Sequence, residues 1–159
     1  IMENNVPADL PKLKVDLSKF KRLFNLLLLD ELTNLNEGAK VEMTASFVAQ
    51  DSGTGELELV IKDNGPGLPE ENLRSIFDPF FLRTENPHEF GLNLMAAYFI
   101  VYHHGGKIRV QSSSNAGTTF VLNFPLSPPT QKNLGNQDQE FISKVLLNDQ
   151  LWEKLLSSA

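Results

Sequence analysis

The chain has 159 residues, 41% of them hydrophobic and 21% charged. That is one domain's worth of ordinary globular composition, neither disordered nor fibrous. It contains no cysteine, which excludes disulfide scaffolds, thiol nucleophiles and Cys-based zinc sites. Twenty acids against 14 bases leave a net charge of -6, and no basic cluster exceeds Lys19, Lys21 and Arg22, so nucleic-acid and anionic-membrane partners are disfavoured.

Residues 1–11 hold Pro7 and Pro11 without periodicity and read as a lead-in segment. Lys12–Val15 alternates charged and apolar side chains, the pattern of a short strand. Ser18 is placed to cap a helix in which Phe20, Leu23, Phe24, Leu27 and Leu28 recur at the spacing of a buried stripe. The helix should run to about Leu35 and stop at Asn36-Glu37-Gly38. Val41–Ala49 and Leu57–Lys62 are β-like runs, and the joint Asp51-Ser52-Gly53-Thr54-Gly55 supplies the glycines of a hairpin. Asp63-Asn64-Gly65-Pro66-Gly67 then breaks the second run. A short helix over Glu70–Ile76 leads into Phe77-Asp78-Pro79-Phe80-Phe81 and a polar, irregular stretch over 82–90.

Gly91–His104 is apolar enough for a largely buried helix, closed by Gly105-Gly106. Lys107–Ser113 and Thr118–Leu126 form a second hairpin that turns at Asn115-Ala116-Gly117. The order β α β β α α β β predicts an α+β sandwich, an antiparallel or mixed sheet covered by helices. Ser127–Gln137 reads as a linker. Residues 138–159 read as a helical extension whose apolar side, including Phe141 and Trp152, either folds back onto the domain, the preferred expectation, or makes a partner contact.

The longest apolar run is Leu26–Leu29, far below the roughly 20 residues of a membrane span, and no secretory leader pattern opens the chain. The segment therefore reads as cytoplasmic, without membrane contact. Ile1 precedes Met2, an order expected of a piece of a longer protein whose remainder could carry membrane spans.

The most informative stretch is Asp63-Asn64-Gly65-Pro66-Gly67. A carboxylate at a strand end, beside backbone bare of side chains, lets a flat ligand approach closely and accepts from an exocyclic amine such as that of adenine. Taken alone it fits a tight turn after an edge strand equally well. It is followed in order by the Phe77–Phe81 aromatic segment, the polar loop, Gly91-Leu92-Asn93-Leu94, His104-Gly105-Gly106 and Gly117-Thr118-Thr119-Phe120.

Over residues 12–126 this series resembles the ATP-binding domain of sensor histidine kinases, within the Bergerat-fold ATPases. The resemblance implies a mixed, mostly antiparallel sheet with helices on one face, and ATP held between helices and a lid. It implies that Asp63 accepts from the adenine amine, that Gly65 and Gly67 give the base room, and that Thr119 sits near the base through a water. Phe77, Phe80 and Phe81 match the aromatic box at the base of a lid over 82–90. Gly91 and Leu92 begin the helix whose free N–H groups would receive the phosphates. The implied partners are a dimerisation and phosphoacceptor domain and a response-regulator receiver domain.

Two motifs depart from the family pattern. Where the family shows Gly-x-Gly-x-Gly before the phosphate helix, this chain has Glu89-Phe90-Gly91-Leu92-Asn93. Where it shows the Mg²⁺-binding Asn, counting from either side gives Asp30 or Glu31, acids whose hard oxygens suit Mg²⁺. One turn earlier stands Leu26 or Leu27, neither of which can act as a base. His88, His103 and His104 are not placed as a phosphoacceptor, which is expected elsewhere in the parent protein or on another chain. Two readings stay open: a kinase catalytic domain binding ATP and Mg²⁺, and a pseudokinase that keeps the fold as a docking module.

Overall fold

The computed structural model describes residues 1–49, 55–73, 76–77 and 92–127. The chain divides into two compact units, Ile1–Pro128 and Pro129–Ala159, and every element below belongs to the first. The hairpin tip at 51–54, Phe80, Phe81, the expected lid over 82–90 with His88, Gly91, most of the linker and the C-terminal extension lie outside the described residues.

Five strands make one sheet: β1 (Met2–Asn5), β2 (Val41–Ala49), β3 (Gly55–Asp63), β4 (Lys107–Ser112) and β5 (Thr118–Pro125). Their spatial order is β1-β2-β3-β5-β4. Only β1 with β2 is a parallel pair; the other three pairs are antiparallel. Two helices, α1 (Leu17–Asn34) and α3 (Leu92–His103), and the single turn α2 (Glu70–Leu73) complete the described elements.

The side-chain alternation of the strands decides which face the helices cover. In β3 and β5 the register opposes Leu57 to Phe124, Leu59 to Leu122 and Ile61 to Phe120, and all six are buried. Such apolar cross-strand pairs are the stabilising unit of a sheet. Leu23, Leu26 and Leu27 of α1 and Leu94, Ala97 and Val101 of α3 join them in one core. The opposite face is polar: Arg109 Nη2 donates to Asn123 Oδ1 at 3.1 Å and Asn123 Nδ2 donates to Glu58 Oε2 at 3.2 Å. The result is an α+β arrangement of two layers with helices on one face.

Three local expectations are corrected. The first strand is Met2–Asn5, inside the expected lead-in, whereas 12–15 makes no strand. β1 is an edge strand of mostly exposed side chains, so no alternation announces it. It is held through its backbone register and by Asn5 Nδ2 donating to Glu42 Oε1 at 2.9 Å. Of 12–15, the Lys14 N–H donates to Leu126 O at 2.9 Å, while Leu13 packs against the core.

The cap of α1 is Asp16 rather than Ser18. Its Oδ1 accepts from the Ser18 and Lys19 N–H groups at 3.0 and 3.1 Å, satisfying two amides that have no partner inside the helix. The short helix after Gly67 is Glu70–Leu73, and Ile76 lies in a turn rather than in the helix.

His104 follows α3 and joins it to α1. Its Nδ1 lies 2.7 Å from Ile100 O, and the Asp16 N–H donates to its Nε2 at 3.1 Å. One tautomer serves both contacts, with Nδ1–H as donor and Nε2 as acceptor. The ring also meets Phe20 edge-on at 6.0 Å, and Phe20 in turn meets Phe124 at 5.2 Å.

Candidate functional site

The site forms at one rim of the sheet because the register brings three strand ends together there. Lys62 opposes Thr119 and Ser112 opposes Thr118, so the end of β3, the start of β5 and the end of β4 meet. Asp63, the last residue of β3, is 4% exposed and points to the helix side. Both carboxylate oxygens are oriented by backbone donors: Oδ1 accepts from the Gly65 N–H at 2.6 Å and Oδ2 from the Thr118 N–H at 2.7 Å. Each oxygen has a second lone pair, so the carboxylate can still accept from a ligand.

Two turns clasp each other beneath Asp63. Asn115 N–H donates to Pro66 O at 2.6 Å. Gly67 has φ +66 and Gly117 φ +78, and a side chain at either would run into the other segment: at Gly67 into Ser113 O, at Gly117 into Asp63 O. Glycine is needed here both for the left-handed backbone and for the close approach. A side chain at Gly65 would meet Leu35 and the Asp63 carboxylate. The glycines thus set the loop that presents Asp63.

Beside Asp63 lies a hollow of about 120 Å³, lined among the described residues by Glu31, Asn34, Leu35, Asp63, Pro66, Gly67, Leu68 and Thr118. The last turn of α1 forms one wall, the post-β3 loop the other. Of the two acids singled out on α1, Glu31 (3% exposed) lines the hollow, whereas Asp30 (8% exposed) is not among its lining residues. Asn34 donates through Nδ2 to Asp30 O at 2.6 Å, which holds the end of the helix in register.

Thr119 does not line the hollow; its neighbour Thr118, buried at 5%, does. Strand alternation is the reason, since Thr118 shares the helix-facing side with Phe120 and Leu122 while Thr119 faces the other way. Asn34, Leu35 and Leu68 are lining residues that sequence reasoning missed. The cue for the first two was their place one turn beyond Glu31.

Phe77 is half-buried against the core and its ring lies 5.4 Å from that of Tyr98 on α3. Leu92 starts α3, with its side chain outside the described residues, as are Gly91, Phe80 and Phe81. No group of three or more metal-ligating side chains occurs among the described residues, and no described helix is long and apolar enough to cross a membrane.

Comparison with known proteins gives a consistent result. Adaptive-response sensory kinase SasA of Prochlorococcus marinus is 31% identical over 136 residues, covering 84% of this chain and 35% of that protein. Sensor histidine kinase ZraS of Escherichia coli is 30% identical over 118 residues, covering 74% of this chain and 24% of ZraS. The chain therefore spans about a quarter to a third of the length of these curated relatives.

Among solved structures, the mycobacterial sensor histidine kinase MprB superposes with a TM-score of 0.63 at 25% identity, over 80% of this chain and 84% of that one. The catalytic domain of histidine kinase ThkA superposes with 0.64 at 26% identity, over 80% of each. The pattern of one family matches residues 20–128, a span containing the whole rim just described. On that match the chain belongs to the histidine kinase-, DNA gyrase B- and HSP90-like ATPases.

Proposed function

We propose that this chain is the nucleotide-binding domain of a sensor histidine kinase. It takes ATP and supplies the γ-phosphoryl group to a histidine on a dimerisation and phosphoacceptor domain, from which a response-regulator receiver domain takes it on. The observation that carries this reading is the Asp63 carboxylate, buried, oriented by two backbone donors and facing a hollow. An adenine amine is the complementary donor, and a hydrogen bond to a charged acceptor contributes about 1.5–3 kcal/mol. The names of the relatives support the same reading, and the cytoplasm, where ATP is held, is the compartment that suits it.

Glu31 would hold Mg²⁺: a carboxylate oxygen is a hard donor of the kind that ion prefers, and Glu31 shares the hollow with Asp63. When bound, the ion neutralises charge on the phosphates. Leu35 and Leu68 cover the apolar part of the base. Gly91 and Leu92, at the start of α3, are proposed to meet the phosphates through N–H groups of the first turn. Phe77, Phe80 and Phe81 are proposed to anchor a lid that keeps water from the reacting phosphate.

The test is calorimetric titration with a non-hydrolysable ATP analogue, with and without Mg²⁺. Binding in the micromolar range, weakened at least tenfold in Asp63→Ala, is the expected result. Absence of binding at millimolar nucleotide contradicts the proposal and leaves a domain that serves only to dock partners.

A further inference from the structure

Ser112, the last residue of β4, has no place in the reading so far, yet its hydroxyl contacts three parts of the rim. It accepts from the Leu68 N–H at 2.8 Å, donates to Gly117 O at 2.7 Å, and lies 3.2 Å from Thr118 Oγ1. A hydroxyl has one hydrogen and two lone pairs. The hydrogen is committed to Gly117 O, which has nothing to donate, and one lone pair to Leu68 N–H. The contact with Thr118 is therefore completed by the Thr118 hydrogen, donated into the second Ser112 lone pair. All three capacities of Ser112 are then used.

The consequence lies on Thr118. With its hydrogen turned toward Ser112, the Thr118 oxygen has only lone pairs left to offer, and Thr118 is one of the residues that line the hollow. Asp63, whose oxygens already accept from Gly65 and Thr118 N–H groups, also presents only lone pairs. We infer that Ser112 is a positioning residue for nucleobase discrimination: it fixes the Thr118 hydroxyl as an acceptor, so that the recognition edge formed by Thr118 and Asp63 takes a base bearing an amine and rejects one bearing a carbonyl. Ser112 also holds Leu68, a wall of the same hollow, through its N–H. A serine that merely ended a strand would satisfy its own turn and leave the ligand preference untouched.

This inference rests on the nucleotide reading above, and the experiment separates the two. Adenosine and inosine differ at the position in question, an amine against a carbonyl, and neither carries phosphates, so their ratio of affinities reads the base end alone. Wild type should prefer adenosine. In Ser112→Ala the Thr118 hydrogen is released, and the preference should fall roughly 2- to 10-fold, while Ser112→Thr restores it and Ser114→Ala, an exposed control on the adjacent turn, leaves it unchanged.

Should Ser112→Ala fail to fold, Thr118→Val removes the hydroxyl that Ser112 orients, with the side-chain shape kept, and should show the same loss of preference. An unchanged adenosine-to-inosine ratio in the folded variant overturns the inference while the nucleotide reading stands. Wild type that binds neither nucleoside, nor the ATP analogue, overturns both.

Discussion

Asp63 has a structural task beside its proposed ligand contact, because Oδ1 holds the loop after β3 and Oδ2 ties the end of β3 to the start of β5. Replacing it with Asn puts an NH₂ against one of two N–H donors, so one buried amide loses its acceptor. Asp63→Asn should therefore lower stability by about 1–3 kcal/mol as well as weaken adenosine binding, which chemical denaturation and titration would read separately. Gly67→Ala places a side chain at φ +66 against Ser113 O, and should cost roughly 1–3 kcal/mol. A variant as stable as wild type would show that the clasp between the two turns is not as described. Asp63 stood out in the sequence because a series of further motifs follows it in order, the Asp-x-Gly-x-Gly turn being too common to single it out alone. That Thr118 rather than Thr119 lines the hollow was not legible, because neighbouring residues of a strand face opposite sides and only the register says which side faces the hollow.

At the scale of elements, α1 depends on a cap that a sequence with Ser18 in the expected position had hidden. The Lys19 backbone N–H bonded to the Asp16 carboxylate holds its pKa below the usual carboxylate range. A depressed carboxylate contributes stability that is present above its unfolded value and lost as pH falls through the lowered folded value. Thermal denaturation across the acid range should thus show an α1-linked loss of Tm that is absent in Asp16→Ala, whose Tm is already lower at neutral pH. Parallel acid profiles for the two proteins would contradict the assignment. α1 and the two hairpins were legible from periodicity and glycines, and α3 from its nearly unbroken apolar composition, closed by Gly105-Gly106. β1 was not, since its attachment is made by backbone and polar edge contacts that leave no hydrophobic pattern. The His104 link from α3 to the Asp16 N–H likewise joins residues 88 apart, a distance that no local pattern spans.

At the largest scale, the helix layer and the sheet of the unit Ile1–Pro128 share one core, and the candidate site is the rim where that core ends. Leu27 and Phe120, each 0% exposed, belong to the two layers. Leu27→Ala and Phe120→Ala should cost about 2–5 and 3–5 kcal/mol respectively, measured by urea denaturation, and should weaken nucleotide binding only as far as they unfold the domain. The nucleotide account stands on Asp63 and the two amides that aim it. The most direct check is a ¹H–¹⁵N spectrum of the domain titrated with adenosine. The account predicts that the Gly65 and Thr118 amides shift together and saturate, with Leu68 following, and that the same addition leaves these amides still in Asp63→Ala. Saturating shifts confined to residues away from this rim, or none at millimolar adenosine, would contradict it.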